Sequence, residues 1–166
     1  MIEKVILVDK FDNEIGEEEK LLAHKKGLLH RAISNFVFNS KGELLIQQRA
    51  LEKYHCPGLW ANTCCSHPRP NEKTINAAYR RLPEEMGFSA PLKYIGKFIY
   101  KINFENGLTE YEIDHVFKAI HDGKINPNPN EVNDYKWINP KILKKEIKLN
   151  PKNYTIWLDI ALNLFF

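Results

Sequence analysis

Long apolar runs are missing from this chain of 166 residues, and none approaches the roughly 20 residues of a membrane helix. The first apolar stretch is cut short by Asp9, so no secretory signal is expected. Cysteine is scarce: Cys56, Cys64 and Cys65 are odd in number and two are adjacent, which is not a disulfide framework. A reducing, cytoplasmic setting is therefore expected. A charge excess is also lacking. The net charge of +3 argues against nucleic acid as a partner but suits a small anionic substrate. No repeat, low-complexity tract or flexible linker divides the chain, so residues 1–166 are expected to form one domain. No heptad or long exposed apolar strand asks for a second copy, so a monomer is expected.

What is present is 43% hydrophobic and 27% charged residues, an ordinary globular composition. Residues 2–9 read as an edge strand ending at a turn. Residues 32–38 and 43–48, joined by Asn39-Ser40-Lys41-Gly42, read as a hairpin. The proline-rich stretch 54–73 reads as loop, with a short strand possible at 59–63. A helix is expected over 74–86, with Thr74 as a candidate cap and Gly87 as its stop. Strands at 94–104 and 108–120 flank an Asn106-Gly107 turn, and a further strand is expected at 132–138. Asn139-Pro140 and Asn150-Pro151 each read as a helix start. In the last helix Trp157, Ile160, Ala161, Leu164 and Phe165 have the spacing of a buried face. Strands with inserted helices predict an α+β fold with mixed sheets.

Several residues suggest chemistry. Glu84 and Glu85 sit on the last turn of the expected helix, where the dipole favours cations. A divalent metal with a bound phosphate would supply that charge; a solvated helix face is the competing reading. Glu110, Glu112 and Asp114 alternate on a strand and share one face, near enough to hold one ion together. His24, His30 and His67 could join them in a site suited to zinc, manganese or iron, although their spacing forms no metal motif. Cys65 beside cationic groups or a metal would have a lowered pKa and could move a proton, whereas Cys56 and Cys64 suit inert burial. Trp157, on its apolar stripe, also reads as core. Lys20, Arg49, Lys53 and Arg81 are solvated cations unless folding gathers them around an anion.

Read together, four stretches resemble a known family. They are residues 23–32 (AHKKGLLHRA), 57–68 (PGLWANTCCSHP), 80–87 (RRLPEEMG) and Glu110-Tyr111-Glu112. In this order they resemble the type 1 isopentenyl diphosphate isomerases, a branch of the Nudix fold, over most of the chain from Lys20 to Trp157. The general Nudix hydrolase box is G-x5-E-x7-R-E-U-x-E-E-x-G-U. Against it, Ser66 stands where the first glycine belongs and Arg81 where the first paired glutamate belongs. Exchanging a carboxylate for a guanidinium removes a metal ligand and adds a phosphate donor, which favours an isomerase over a hydrolase.

The resemblance implies a Nudix fold and the interconversion of isopentenyl and dimethylallyl diphosphate through a tertiary carbocation. It implies that His24, His30, His67, Glu110 and Glu112 hold a divalent metal, manganese or zinc, and that Glu85 holds a magnesium arriving with substrate. Lys20, Arg49, Lys53 and Arg81 would surround the diphosphate. Cys65 and Glu112 would be the acid–base pair on opposite sides of the alkene, with Glu112 favoured as donor and Tyr100 beside its carboxyl group. Trp157 would face the cation. Pro83 departs from the pattern, since it removes a hydrogen bond inside the helix and a kink is expected there. A Nudix hydrolase and a catalytically silent metal-binding module are the rival functions.

Overall fold

The computed structural model describes residues 2–53 and 55–166, so Tyr54, at the start of the expected 54–73 loop, lies outside the described residues. The elements in chain order are β1 (Lys4–Val8), β2 (Glu14–Glu19), α1 (Lys20–Lys26), β3 (His30–Phe38), β4 (Leu44–Arg49), β5 (Trp60–Ala61) and β6 (Cys64–Ser66). Then follow α2 (Thr74–Met86), β7 (Lys93–Asn103), β8 (Thr109–Ile120), β9 (Val132–Ile138), α3 (Pro140–Leu149) and α4 (Ile156–Phe165). The architecture is α+β with a mixed sheet. No helix among the described residues is long and apolar enough to cross a membrane.

The sheet is organised around β3, which runs parallel to β8 from His30↔Glu112 to Phe38↔Ile120. On its other side β3 pairs antiparallel with β6, placing Ser34 opposite Cys65 and Asn35 opposite Cys64. β7 continues the sheet beyond β8, and β4 pairs with β9 and β5. Side chains alternate along a strand, so β3 divides its residues between two cores. Ile33 and Val37 pack with Leu82 and Met86 of α2, together with Phe117. Phe36 and Phe38 pack with Trp157, Leu158 and Leu162 of α4, together with Phe98. The sheet is thus covered by α2 on one face and by α3 and α4 on the other.

The expected hairpin of β3 and β4 exists only at its mouth. Asn39 and Glu43 close the turn, but Phe38↔Leu44 is the single paired position. Both strands are buried and find longer partners, so turn chemistry fixed the reversal and not the ladder. The expected 59–63 strand is realised only as β5 at Trp60–Ala61, and β6 starts just beyond it at Cys64. Thr74 is the first residue of α2 and not its cap; Lys73 precedes it without a side-chain cap bond. Asn139 does cap α3, accepting from the Lys141 amide at 2.9 Å. Asn150-Pro151 starts only a 3-10 turn, and α4 begins after Thr155. The buried face of α4 is Trp157, Leu158, Ala161 and Leu162, whereas Leu164 is 60% exposed. That helix is apolar nearly all round, so periodicity places Trp157 and Ala161 correctly but adds the exposed Leu164 and misses Leu158 and Leu162.

α2 runs through Pro83 to Met86, so the two glutamates are helical as expected. Gly87 ends it at φ 74°, and its amide donates to the Pro83 carbonyl at 3.0 Å. The loop beyond docks on this end, with Asn126 N–H on the Met86 carbonyl and Asn128 N–H on the Glu85 carbonyl. A Cβ at Gly87 would run into the Asn126 carbonyl. Gly87→Ala should therefore cost more than the roughly 1–2 kcal/mol of a left-handed L-residue alone. A clear fall in melting temperature is expected; an unchanged one would mean that this loop is not docked.

Candidate active site

The two strands that flank β3 bring the reactive groups to one cavity from opposite edges. Residues paired across a sheet share a face. Cys65 on β6 therefore points with Ser34, and Glu112 and Asp114 on β8 point with His30 and Ala32, all to the same side. Cys64, one residue away, points instead into the core beneath α2. The cavity wall includes Cys65, Glu112, Tyr100, Trp157, Arg49 and Arg81.

Glu112 is the focus. His67 Nε2 lies 2.9 Å, His30 Nε2 3.3 Å and His24 Nε2 3.9 Å from its Oε1. In a site with zinc-type bonds, neighbouring ligand atoms lie about 3.0–3.4 Å apart and opposite ones about 4.2 Å apart. The observed separations fall in or close to that range. The Nδ1 of His24 meets the Lys20 carbonyl at 2.7 Å and that of His30 meets the Leu28 carbonyl at 2.8 Å. Each ring is thereby oriented with Nε2 inward, as metal-binding histidines usually are. Burial holds His24 down to about 4 and His67 well below the ordinary imidazole value, so both are neutral donors. The group fits a divalent cation.

Glu110 stands slightly apart from that group. Its nearest potential co-ligands are His24 and His55, and His55 Nε2 lies 2.6 Å from Glu110 Oε1. The Tyr100 hydroxyl donates to Glu112 Oε2 at 2.7 Å and lies 3.1 Å from Glu110 Oε2. One hydroxyl carries one hydrogen, so two carboxylates around it need a further proton. Burial and then the Glu112 charge push the Glu110 carboxyl well up. Burial opposes ionisation at Glu112 as well, but hydrogen bonds to His30 and His67 outweigh it and hold Glu112 well down. The two carboxyl groups are thus pushed in opposite directions, Glu110 up and Glu112 down.

Cys65 differs from expectation in its charge. Burial pushes its thiol up to about 12, although Arg49 opposes the shift with Nη1 3.6 Å from the sulfur. The ligand-free thiol is therefore neutral, and not lowered as expected beside cations. Trp157 is both core and cavity wall; its indole N–H donates to Asn62 Oδ1 at 3.1 Å and Arg49 lies over its ring. Cys56 and Cys64 are pushed up by burial, as suits inert thiols.

Glu85 is buried and already neutralised. Arg81 donates to its Oε1 and Gln47 to its Oε2, each at 2.8 Å. The cation that the helix end was expected to need is thus supplied at least in part by Arg81. Glu84 is exposed and pairs with Arg80 and Arg81. Lys20 lines the cavity with Arg49 and Arg81, while Lys53 is turned to Glu131 in an ion pair that Arg81 shares. Sequence reasoning passed over Glu131 and His55. Each is isolated in a loop, and neither spacing nor composition marks them.

The NUDIX domain family matches residues 28–158. The chain is 50% identical over 163 residues to isopentenyl-diphosphate Delta-isomerase 2 of Aromatoleum aromaticum, covering 98% of this chain and 86% of that protein. It is 51% identical over 163 residues to isopentenyl-diphosphate Delta-isomerase 2 of Photorhabdus laumondii, covering 98% and 92%. In fold it superposes on the DR0079 protein of Deinococcus radiodurans with a TM-score of 0.82 at 19% identity, over 99% of both chains. Identity near one half over almost the entire length, together with the Nudix match, places this chain in the type 1 isopentenyl-diphosphate Delta-isomerase family of the Nudix superfamily.

Proposed function

We propose that the chain interconverts isopentenyl and dimethylallyl diphosphate, a step of isoprenoid biosynthesis, in the cytoplasm and as a monomer. The observation that carries this reading is the pairing of β3 with β6 and β8, which sets Cys65 and Glu112 at opposite edges of one strand and facing one cavity. An alkene needs a proton on its terminal carbon and then loses one from the carbon on the other side of the cation. Two proton carriers flanking the substrate suit that sequence.

Protonating an unactivated alkene is the harder step, so the stronger acid belongs there. A carboxylic acid is a stronger acid than a thiol, so the reactive form has the pair's proton moved from the Cys65 thiol to the resting Glu112 carboxylate, leaving a thiolate, and Glu112 then delivers it. The Tyr100 hydroxyl, in reach of both Glu112 and Glu110, can restore it. The electron pair of the double bond forms the new C–H bond and leaves a tertiary cation. Cys65 takes the proton from the adjacent carbon as that C–H pair becomes the new double bond. Arg49, against the Cys65 sulfur, favours the thiolate that accepts it. The two groups exchange roles in the reverse direction.

Lys20, Arg49, Lys53 and Arg81 hold the diphosphate, and the last two must leave Glu131 in part to do so. His24, His30, His67, Glu110 and Glu112 hold manganese or zinc. Glu85 holds magnesium brought by the diphosphate. The chemistry these cations supply is positive charge, which fixes Glu112, tunes its proton affinity and offsets the diphosphate. The indole face of Trp157 stabilises the carbocation by about 2 kcal/mol or more once water is excluded. Trp157→Phe should then retain more turnover than Trp157→Leu at equal stability; equal rates would reduce Trp157 to packing.

The test is to incubate the protein with isopentenyl diphosphate and measure isomer and released phosphate in one sample. Isomer without phosphate is expected. Phosphate without isomer would identify a hydrolase, and neither product would leave a metal-binding module.

A further inference from the structure

Four of the six histidines converge on the cavity, and one of them, His55, has no part in the proton transfer described above. It comes from the loop between β4 and β5, and its side chain is buried. Its Nε2 lies 2.6 Å from Glu110 Oε1, while the other oxygen of Glu110 faces the Tyr100 hydroxyl.

Two roles are open to such an imidazole, and geometry separates them. Adjacent ligand atoms on one ion lie about 3.0 Å or more apart at zinc-type bond lengths. At 2.6 Å, His55 Nε2 and Glu110 Oε1 are closer than that and within direct hydrogen-bond reach of each other. His24 belongs both to the group with His30, His67 and Glu112 and to the group with His55 and Glu110, and cannot serve an ion in each at once. Its Nδ1 faces the Lys20 carbonyl, so only Nε2 remains, and one ring nitrogen has one lone pair for one ion.

We propose that His55 is a positioning residue that holds Glu110 at the edge of the His/Glu metal centre by a hydrogen bond from Nε2 to Oε1. With Tyr100 on Oε2, it restrains both oxygens of that carboxylate. When Glu110 is a metal-bound carboxylate it has no hydrogen to give, so the imidazole is the donor. The loop that carries His55 is itself held by Arg49, which donates to the carbonyls of His55 and Cys56 at 3.2 Å each. The Arg49 guanidinium thereby links the diphosphate end of the cavity to the placement of Glu110.

This inference rests on the metal centre proposed above, and the experiment separates the two. Zinc affinity is measured by competition with a chelating dye for the wild-type chain, His55→Ala, His55→Gln, Glu110→Ala and the double alanine variant. Thermal melts of the metal-free proteins confirm that each is folded. His55→Ala should weaken zinc binding about 10–100-fold, the usual cost of losing such a partner. His55→Gln, whose amide can donate from nearly the same place, should restore most of it. In the Glu110→Ala background, His55→Ala should cost nothing further. X-ray absorption should count the same number of imidazoles on zinc in wild type and His55→Gln.

Unchanged affinity in His55→Ala would overturn the proposal. So would a glutamine variant as weak as alanine and one imidazole short, because His55 would then be a ligand. A wild-type chain that retains no zinc would overturn the metal centre and this inference with it.

Discussion

Cys65→Ala and Glu112→Gln should each remove turnover by a factor of about 10²–10⁴ or more, the usual contribution of a positioned proton carrier. Neither change alters the volume of the site greatly, and Cys65 lies on a cavity wall where a missing sulfur leaves the packing of α2 untouched. The control is the neighbouring thiol. Cys64 is opposite Asn35 and packs beneath α2, so Cys64→Ala should lower the melting temperature while keeping most activity. Cys56→Ala should also remain active. Steady-state rates with isopentenyl diphosphate decide the matter. Equal losses at Cys64 and Cys65 would show that the alternation of β6 has been assigned to the wrong face.

The second large effect concerns the metal centre. Around Glu112 Oε1 three imidazoles are buried at close quarters, and Glu110 lies beyond them in a second group with His24 and His55. A cation that binds only the folded chain stabilises it by about 2.7–4.1 kcal/mol at 100–1,000 times its dissociation constant. For a chain of this length each kcal/mol moves the melting temperature by about 2–4 °C. Stripping the protein with a strong chelator should therefore lower that temperature by roughly 5–16 °C, and zinc or manganese should restore it. Magnesium alone should not, because a group dominated by imidazoles suits softer cations. Scanning calorimetry before and after chelation is the check. An unchanged melting temperature, with metal analysis confirming removal, would count against a tightly held cation.

The parts of the fold that are legible in the sequence are those set by local chemistry. α2 and β9 fall where expected because Gly87 punctuates the one and alternation with flanking turn residues marks the other. α3 is legible through the Asn139 cap and Pro140. Strand β2 is not, since Glu14, Glu17, Glu18 and Glu19 are poor strand formers and it exists by pairing with β1. Helix α1 is only seven residues, too short to show a period. The parallel ladder of β3 and β8 joins residues some 80 apart, and no local signal encodes it. That ladder is nevertheless what brings His30 to Glu112. The site residues named by resemblance mostly gather at one cavity. His55 and Glu131 escaped because their roles exist only once the loops are folded against β8 and α2.

The pairing of a thiol and a carboxyl group across β3 makes its strongest claim about where hydrogen enters and leaves the substrate. Incubating the protein with isopentenyl diphosphate in deuterated water tests that claim directly, with the position of the label read by NMR. The account predicts deuterium in a methyl group of dimethylallyl diphosphate, delivered by the Glu112 side of the cavity, and loss of this incorporation in Glu112→Gln. Isomer formed without any solvent deuterium, or no isomer at all from the metal-loaded protein, would contradict it.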